Sequence, residues 1–157
     1  MHTSETNKVI FVNLACGNYY VESPQWVNLD YVQSSPAVKK ADILNALPFE
    51  TGSVHAIYCS HFIEHVPRAR VLAFLLECYR VLKPGQGIAR FVLPDLEEMC
   101  REYLKQREAG NNKKADFVVL ELLDQCVRIE PGGELGVLYK LLRNKPDSNI
   151  AAYVYER

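Results

Sequence analysis

Five short apolar runs, each closed by a turn, constrain this chain more than any other feature. Lys8–Leu14, Trp26–Asp30, Ala37–Ile43, Val54–Cys59 and Gly87–Leu93 read as strands. Each is brief, carries β-branched or aromatic residues, and is bounded by Gly, Pro, Ser or Asp. Between the fourth and fifth, Val71, Phe74, Leu75, Cys78 and Leu82 fall at helical spacing, which predicts a helix over Arg68–Leu82. Pro67 suits its first turn, and Lys83-Pro84-Gly85 stops it. Strands joined by crossovers imply a mostly parallel sheet within a three-layer α/β sandwich. Segments 31–36 and 44–53 are too short for full helices, so some crossovers are reduced.

Past Pro94-Asp95 the pattern changes. Leu96–Arg107 is expected to be a polar-faced helix, Lys113–Ile129 a helix with a wide apolar face, and Glu134–Arg143 a further helix. KQREAGNNKK reads as a solvated loop. Ile150–Tyr155 (IAAYVY) is the candidate for a last strand. The expected organisation is a single domain over 1–157, with a cofactor-binding core at 8–107 and a helical segment at 113–157.

Bulk properties narrow the function. A chain of 157 residues can bury a real core. A net charge of −1 gives no basic footprint for nucleic acid. No apolar run is long enough to span a bilayer. The start, MHTSETNK, lacks a signal-peptide layout, so a cytoplasmic location is expected. Cysteines at 16, 59, 78, 100 and 126 form no CxxC pair, so neither a zinc site nor a disulfide framework is indicated.

In open parallel sheets, ligands bind beyond the carboxyl ends of the strands. Those ends hold Asn13, Ala15, Cys16 and Gly17, then Asp30, then Asp42, then Ser60 and His61, and last Pro94 and Asp95. Small residues let the backbone approach a ligand closely. A carboxylate ending the second strand suits the two hydroxyl donors of a ribose. Asp42 can accept from an exocyclic adenine amine, with Ile43 as an apolar surface for the ring. The turn Ala-Cys-Gly-Asn-Tyr-Tyr lacks the GxGxxG that cradles a pyrophosphate, which argues against a nicotinamide oxidoreductase.

Several stretches carry a family likeness: VNLACGN, WVNLD, ADILNALPFETGSVHAIYCSHFIEHV, and LLECYRVLKPGQGIARFVLPDLEEMCREYL. Through them the chain resembles class I S-adenosylmethionine-dependent methyltransferases, in particular small bacterial predicted methyltransferases of the type 11-like kind. The resemblance implies a Rossmann-like fold, S-adenosylmethionine as cofactor and a small-molecule methyl acceptor. It implies that Asn13, Ala15 and Gly17 line the methionine moiety and that Asp30 holds the ribose. Asp42 and Ile43 would then hold the adenine, and Ser60 and His61 would close the pocket near the methyl group.

The chain departs from that family at named positions. Asn13 stands where the family usually has an acidic residue, Ala15 and Tyr19 where it often has glycine, and His55 where it usually has aspartate. The family's sheet also ends in two further strands, for which Ile150–Tyr155 is the one candidate. A short C-terminal part would leave the edge of the fifth strand unpaired. The tail is therefore expected to pair with a second copy, giving a homodimer, or to pack helices over that strand.

SHFIEH has the residue order of an inverted zinc-protease motif, with His61 and His65 four apart if helical. No third ligand is evident, so no metal is expected. Glu64 and His65 either hold the loop by local hydrogen bonds or serve the substrate. His61, His65 and Asp95 are the candidate bases. Cys16 reads as a small residue rather than a nucleophile. Arg128 and Gly132-Gly133-Glu134 either lie above the acceptor or form a helix stop with a solvated charge. The competing reading is a methyltransferase-like fold without catalysis, serving as a binding or assembly module.

Overall fold

The computed structural model describes residues 8–127, 132–144 and 148–156. The chain divides after Leu93 into two units.

In the first unit, β1 (Phe11–Leu14), β2 (Trp26–Asp30), β3 (Val38–Lys40), β4 (Ala56–Ser60) and β5 (Ile88–Val92) form one sheet. Its order is β3-β2-β1-β4-β5, and every pairing is parallel. The expected α/β fold with a parallel sheet is the observed one. Val12, Leu14, Leu29, Ile57 and Cys59 are buried, as central parallel strands require. The third strand is shorter than its apolar run. Pro36 precedes it, and Asp42 turns the chain away by accepting the amide of Leu44 at 3.1 Å.

The crossovers are indeed reduced. Among the described residues before Leu93, α1 (Arg68–Val81) is the one α-helix, and it links β4 to β5. Phe74, Cys78 and Val81 are its buried positions, and Phe74 meets Phe62 and Phe91 edge-on. Leu75, expected on that face, is 36% exposed because it lies one residue round the helix from Phe74.

Loops replace the missing helices, and side chains hold them. From α1, Glu77 accepts the Leu47 amide at 2.7 Å, while Arg80 donates to both Glu77 oxygens and to the Phe49 carbonyl. Asn13 and Asn28 lie opposite each other on β1 and β2, and both are buried. Asn28 accepts from Val21 and donates to the carbonyls of Val21 and Ala37. His55 accepts the Ile10 amide at 3.1 Å, linking the segments that lead into β4 and β1.

The second unit holds α2 (Leu96–Glu108), α3 (Asn112–Val127), α4 (Gly133–Asn144) and α5 (Ser148–Glu156). Its core includes Met99, Phe117, Val118, Leu135, Leu142 and Tyr153. Glu102 on α2 accepts the Tyr153 hydroxyl at 2.9 Å, tying α2 to α5. The charge run expected as a loop mostly continues these helices, leaving a short turn in which Gly110 takes a φ of 71°.

The final strand expected at Ile150–Tyr155 is a helix. That run is too short for apolar periodicity to separate strand from helix. As a helix it puts Ala151 and Val154, three residues apart, into the core of this unit. The described residues of the tail therefore give the sheet no strand.

Candidate functional site

The chain runs from β1 outward through β2 to β3, then returns to lay β4 against the other side of β1. The strand order thus reverses between β1 and β4. The crevice beyond the carboxyl ends of those two strands is the position where open parallel sheets bind ligands.

Two backbone features mark this crevice. Among the described residues, Ala15 and His61 are the non-glycine residues with positive φ, at 52° and 51°. Ala15 follows β1 and His61 follows β4. A left-handed conformation costs an L-residue roughly 1–2 kcal/mol. Such strain persists where the surroundings fix it and gathers at functional sites. At His61 the fixing contact is its amide, which donates to the Val92 carbonyl at 2.9 Å. At Ala15 a glycine would carry no such cost.

Gly17 also takes a positive φ, 54°, and a Cβ placed there would meet no atom within 4 Å. The glycine is needed for its backbone angle, and the space above it is open. Its amide donates to Asp30 Oδ2 at 2.9 Å, and the Val32 amide donates to Oδ1 at 2.9 Å. Each carboxylate oxygen keeps a second acceptor site for another donor. Ser34, which sequence reasoning passed over, donates its hydroxyl to the Gly17 carbonyl at 2.7 Å. The turn after β1 and the end of β2 are thereby one bonded unit.

Other expected residues have distinct places. Asn13 is buried and donates to the Tyr19 carbonyl at 2.9 Å and to Asn28 at 3.3 Å. It shapes the turn from below, and Tyr19 itself is 91% exposed. Ala41 donates to the Asp30 carbonyl, which brings Asp42 to the same end of the sheet. The Asp42 carboxylate is exposed and accepts from Leu44 and Asn45. Ile43 turns inward and is part of the core. Ser60 ends β4 beside Val92.

His61 does not begin a helix. Its ring is 62% exposed, and a single 3-10 turn, Ile63–His65, follows it. His61 and His65 therefore do not share an α-helical face. His65 donates its amide to Phe62. Among the described residues no group of three or more His, Cys, Asp or Glu is placed to hold a metal ion.

Glu64, in that 3-10 turn, makes no hydrogen bond through its carboxylate, so of its two expected roles the local-bond one does not hold. Both carboxylate oxygens are buried without a hydrogen-bond partner, and Oε1 lies 3.5 Å from His61 Nδ1. Its charge helps raise the neighbouring Cys59 thiol, which burial above all pushes up to about 12. Burial, and then Asp30, push the Cys16 thiol up to about 11, so it is a protonated small side chain at neutral pH.

Asp95 belongs to the second unit and caps α2, accepting the amides of Glu97 and Glu98. Asp124 accepts the Glu134 amide at the start of α4, so Gly132-Gly133-Glu134 is a helix start rather than a stop. Arg128 lies outside the described residues.

Residues 18–90 match the family model described as a methyltransferase domain. The matched stretch holds β2, β3, β4 and α1, with Asp30, Asp42, Ser60 and His61, while β1 and Gly17 lie just before it. No curated protein matches the chain. No helix among the described residues is long and apolar enough to cross a membrane.

Proposed function

We propose that this chain, whose residues 18–90 match the family model of a methyltransferase domain, transfers a methyl group from S-adenosylmethionine to a small-molecule acceptor in the cytoplasm. The observation that carries this reading is Asp30. Its carboxylate ends β2, is bonded to the glycine turn after β1, and keeps one acceptor site on each oxygen. A ribose diol offers the two donors such a group can take.

The residues present fit the cofactor. Asp30 would hold the ribose hydroxyls. The open backbone of Ala15–Gly17 would lie along the methionine portion, with Asn13 bracing the turn from beneath. Asp42 would accept from the adenine amine, and Ser60 and His61 would border the reacting end. Ile43 is buried, so its part is to support the Asp42 turn from the core. When bound, S-adenosylmethionine supplies a methyl group on a positively charged sulfur that leaves as a neutral thioether.

The chain's own task is then alignment. Holding the acceptor in line with the methyl group supplies most of the rate. A base is needed where the acceptor must lose a proton, and His61, His65 and Asp95 are the candidates. A homodimer through the C-terminal helices belongs to the same reading, and a monomeric mass by light scattering would remove it.

Calorimetric titration of the full chain with S-adenosylmethionine, and separately with S-adenosylhomocysteine, tests the function. Micromolar binding is expected. No heat with either ligand at millimolar concentration would replace this reading with that of a binding or assembly module.

A further inference from the structure

A buried carboxylate without a hydrogen bond calls for a physical account, because its desolvation is uncompensated. Glu64 is such a group. Its side chain is 15% exposed and both oxygens are sealed from solvent. Replacing it with an apolar residue of similar size would remove that cost, so it is not there for packing. Its neighbour of opposite potential charge is His61, whose Nδ1 lies 3.5 Å from Oε1. His61 is held in a strained left-handed conformation at the end of the interior strand β4, with its ring mostly exposed.

These observations converge on one arrangement. In a neutral imidazole one nitrogen carries the proton and the other can accept one, and the partner of the first decides which is which. A buried carboxylate beside Nδ1 selects the form protonated there. The far nitrogen, Nε2, is then an acceptor on the exposed side of the ring. Such contacts are commonly long in a free site and tighten when the ligand binds.

We propose that Glu64 is the positioning residue of His61, fixing its proton on Nδ1 so that Nε2 serves as base toward the methyl acceptor. This rests on the methyltransferase reading and names the acceptor class: a molecule whose nucleophilic atom carries a proton, such as a hydroxyl, thiol or ammonium-derived amine. As the bond from that atom to the methyl carbon forms, its proton passes to Nε2. The carbon–sulfur bond breaks with its electron pair on sulfur, leaving S-adenosylhomocysteine, the methylated acceptor and an imidazolium beside Glu64. The carboxylate stabilises that cation.

Nitrogen-15 NMR of the full chain, labelled at histidine and recorded where the ring is neutral, tests this without any acceptor. A His61→Gln spectrum assigns the signals. The expected result is His61 protonated mainly on Nδ1, with conversion to the Nε2-protonated form in Glu64→Leu. An Nε2-protonated ring in the unaltered chain, or the same form in both proteins, would overturn the proposal. Should Glu64→Leu not fold, Glu64→Gln serves: the Nδ1 proton, far downfield beside a carboxylate, should move upfield beside an amide. An unmoved resonance would sink the idea.

Titration with S-adenosylhomocysteine on the same samples separates the two readings. Absence of binding with a Glu64-dependent Nδ1 proton removes the methyltransferase reading and with it the base's role toward a methyl acceptor, while Glu64 remains the positioning residue of His61. Binding that is lost in Glu64→Leu, with no change in the ring, makes Glu64 a cofactor ligand and overturns the positioning role.

Discussion

The Gly17 amide donates to Asp30 Oδ2 at 2.9 Å, so the turn after β1 is fastened to the end of β2. One carboxylate thereby holds the turn in place and, in the proposed function, would also take the ribose hydroxyls.

Asp30→Ala should therefore abolish S-adenosylhomocysteine binding and also cost about 1–3 kcal/mol of stability, as two backbone amides lose their acceptor. Asp30→Asn keeps one carbonyl oxygen and the shape. It should weaken binding strongly with a smaller loss of stability. Calorimetry and urea denaturation of the two variants separate the roles. Equal stability losses would mean that the carbonyl oxygen kept by Asn gives the turn nothing without the charge.

Ala15 adopts a φ of 52° although it has a Cβ. Ala15→Gly should relieve that strain and raise stability by up to about 1 kcal/mol, after the greater freedom of the unfolded glycine is set against it. Gly17→Ala, at a φ of 54°, should lower stability by about 1 kcal/mol. Urea midpoints would show the opposite signs, and a shared sign would refute the account.

Glu77 is held below the ordinary carboxylate range, first by the hydrogen bonds from Arg80 and then by the Leu47 amide, against the opposing effect of burial. A lowered folded value means its contribution is fully present above the unfolded value of 4.5 and disappears as pH falls through the folded one. Glu77→Gln should therefore be less stable than the unaltered chain at neutral pH, and the gap should narrow in acid. A gap that stays constant with pH would show that charge plays no part. Thermal melts across an acid series would read it.

Cys16, Cys59 and Cys78 are buried, with their thiols pushed up to about 11, 12 and 12, whereas Cys100 is exposed. Under native conditions near neutral pH, iodoacetamide should label Cys100 ahead of these three. Peptide mass spectrometry over time would establish the order. Rapid labelling of Cys16 would contradict its place as a protonated residue within the turn.

The strands were legible because parallel strands near the middle of a sheet are apolar runs with abrupt ends. Val12, Leu14, Leu29 and Ile57 give that signal plainly. Gly17 and Asp30 were legible for a related reason, since the last residue of a strand announces itself once the strand is found. Asn28 and Glu64 were not. Asn28 is an unremarked polar residue inside a strand until Val21 and Ala37 are seen to need its amide. Glu64 stands out with His65 as holding the loop or serving the substrate, but nothing in the linear pattern shows that its oxygens are buried. Both roles come from neighbours distant in sequence or from burial, and a linear pattern records neither. The tail misled because six apolar residues suit either a strand or a helix, and packing against α2 and α3 decided for helix.

The crossovers from β1 to β3 contain no helix and are held by single side chains such as Asn28, Asp30 and Ser34. Backbone held this way can open locally at a free energy well below that of unfolding the sheet. The amides around Gly17 and Val21 should then exchange with solvent by a route of their own, distinct from those of β1 and β4. The rim around Gly17 can then loosen while the strands β1 and β4 stay closed.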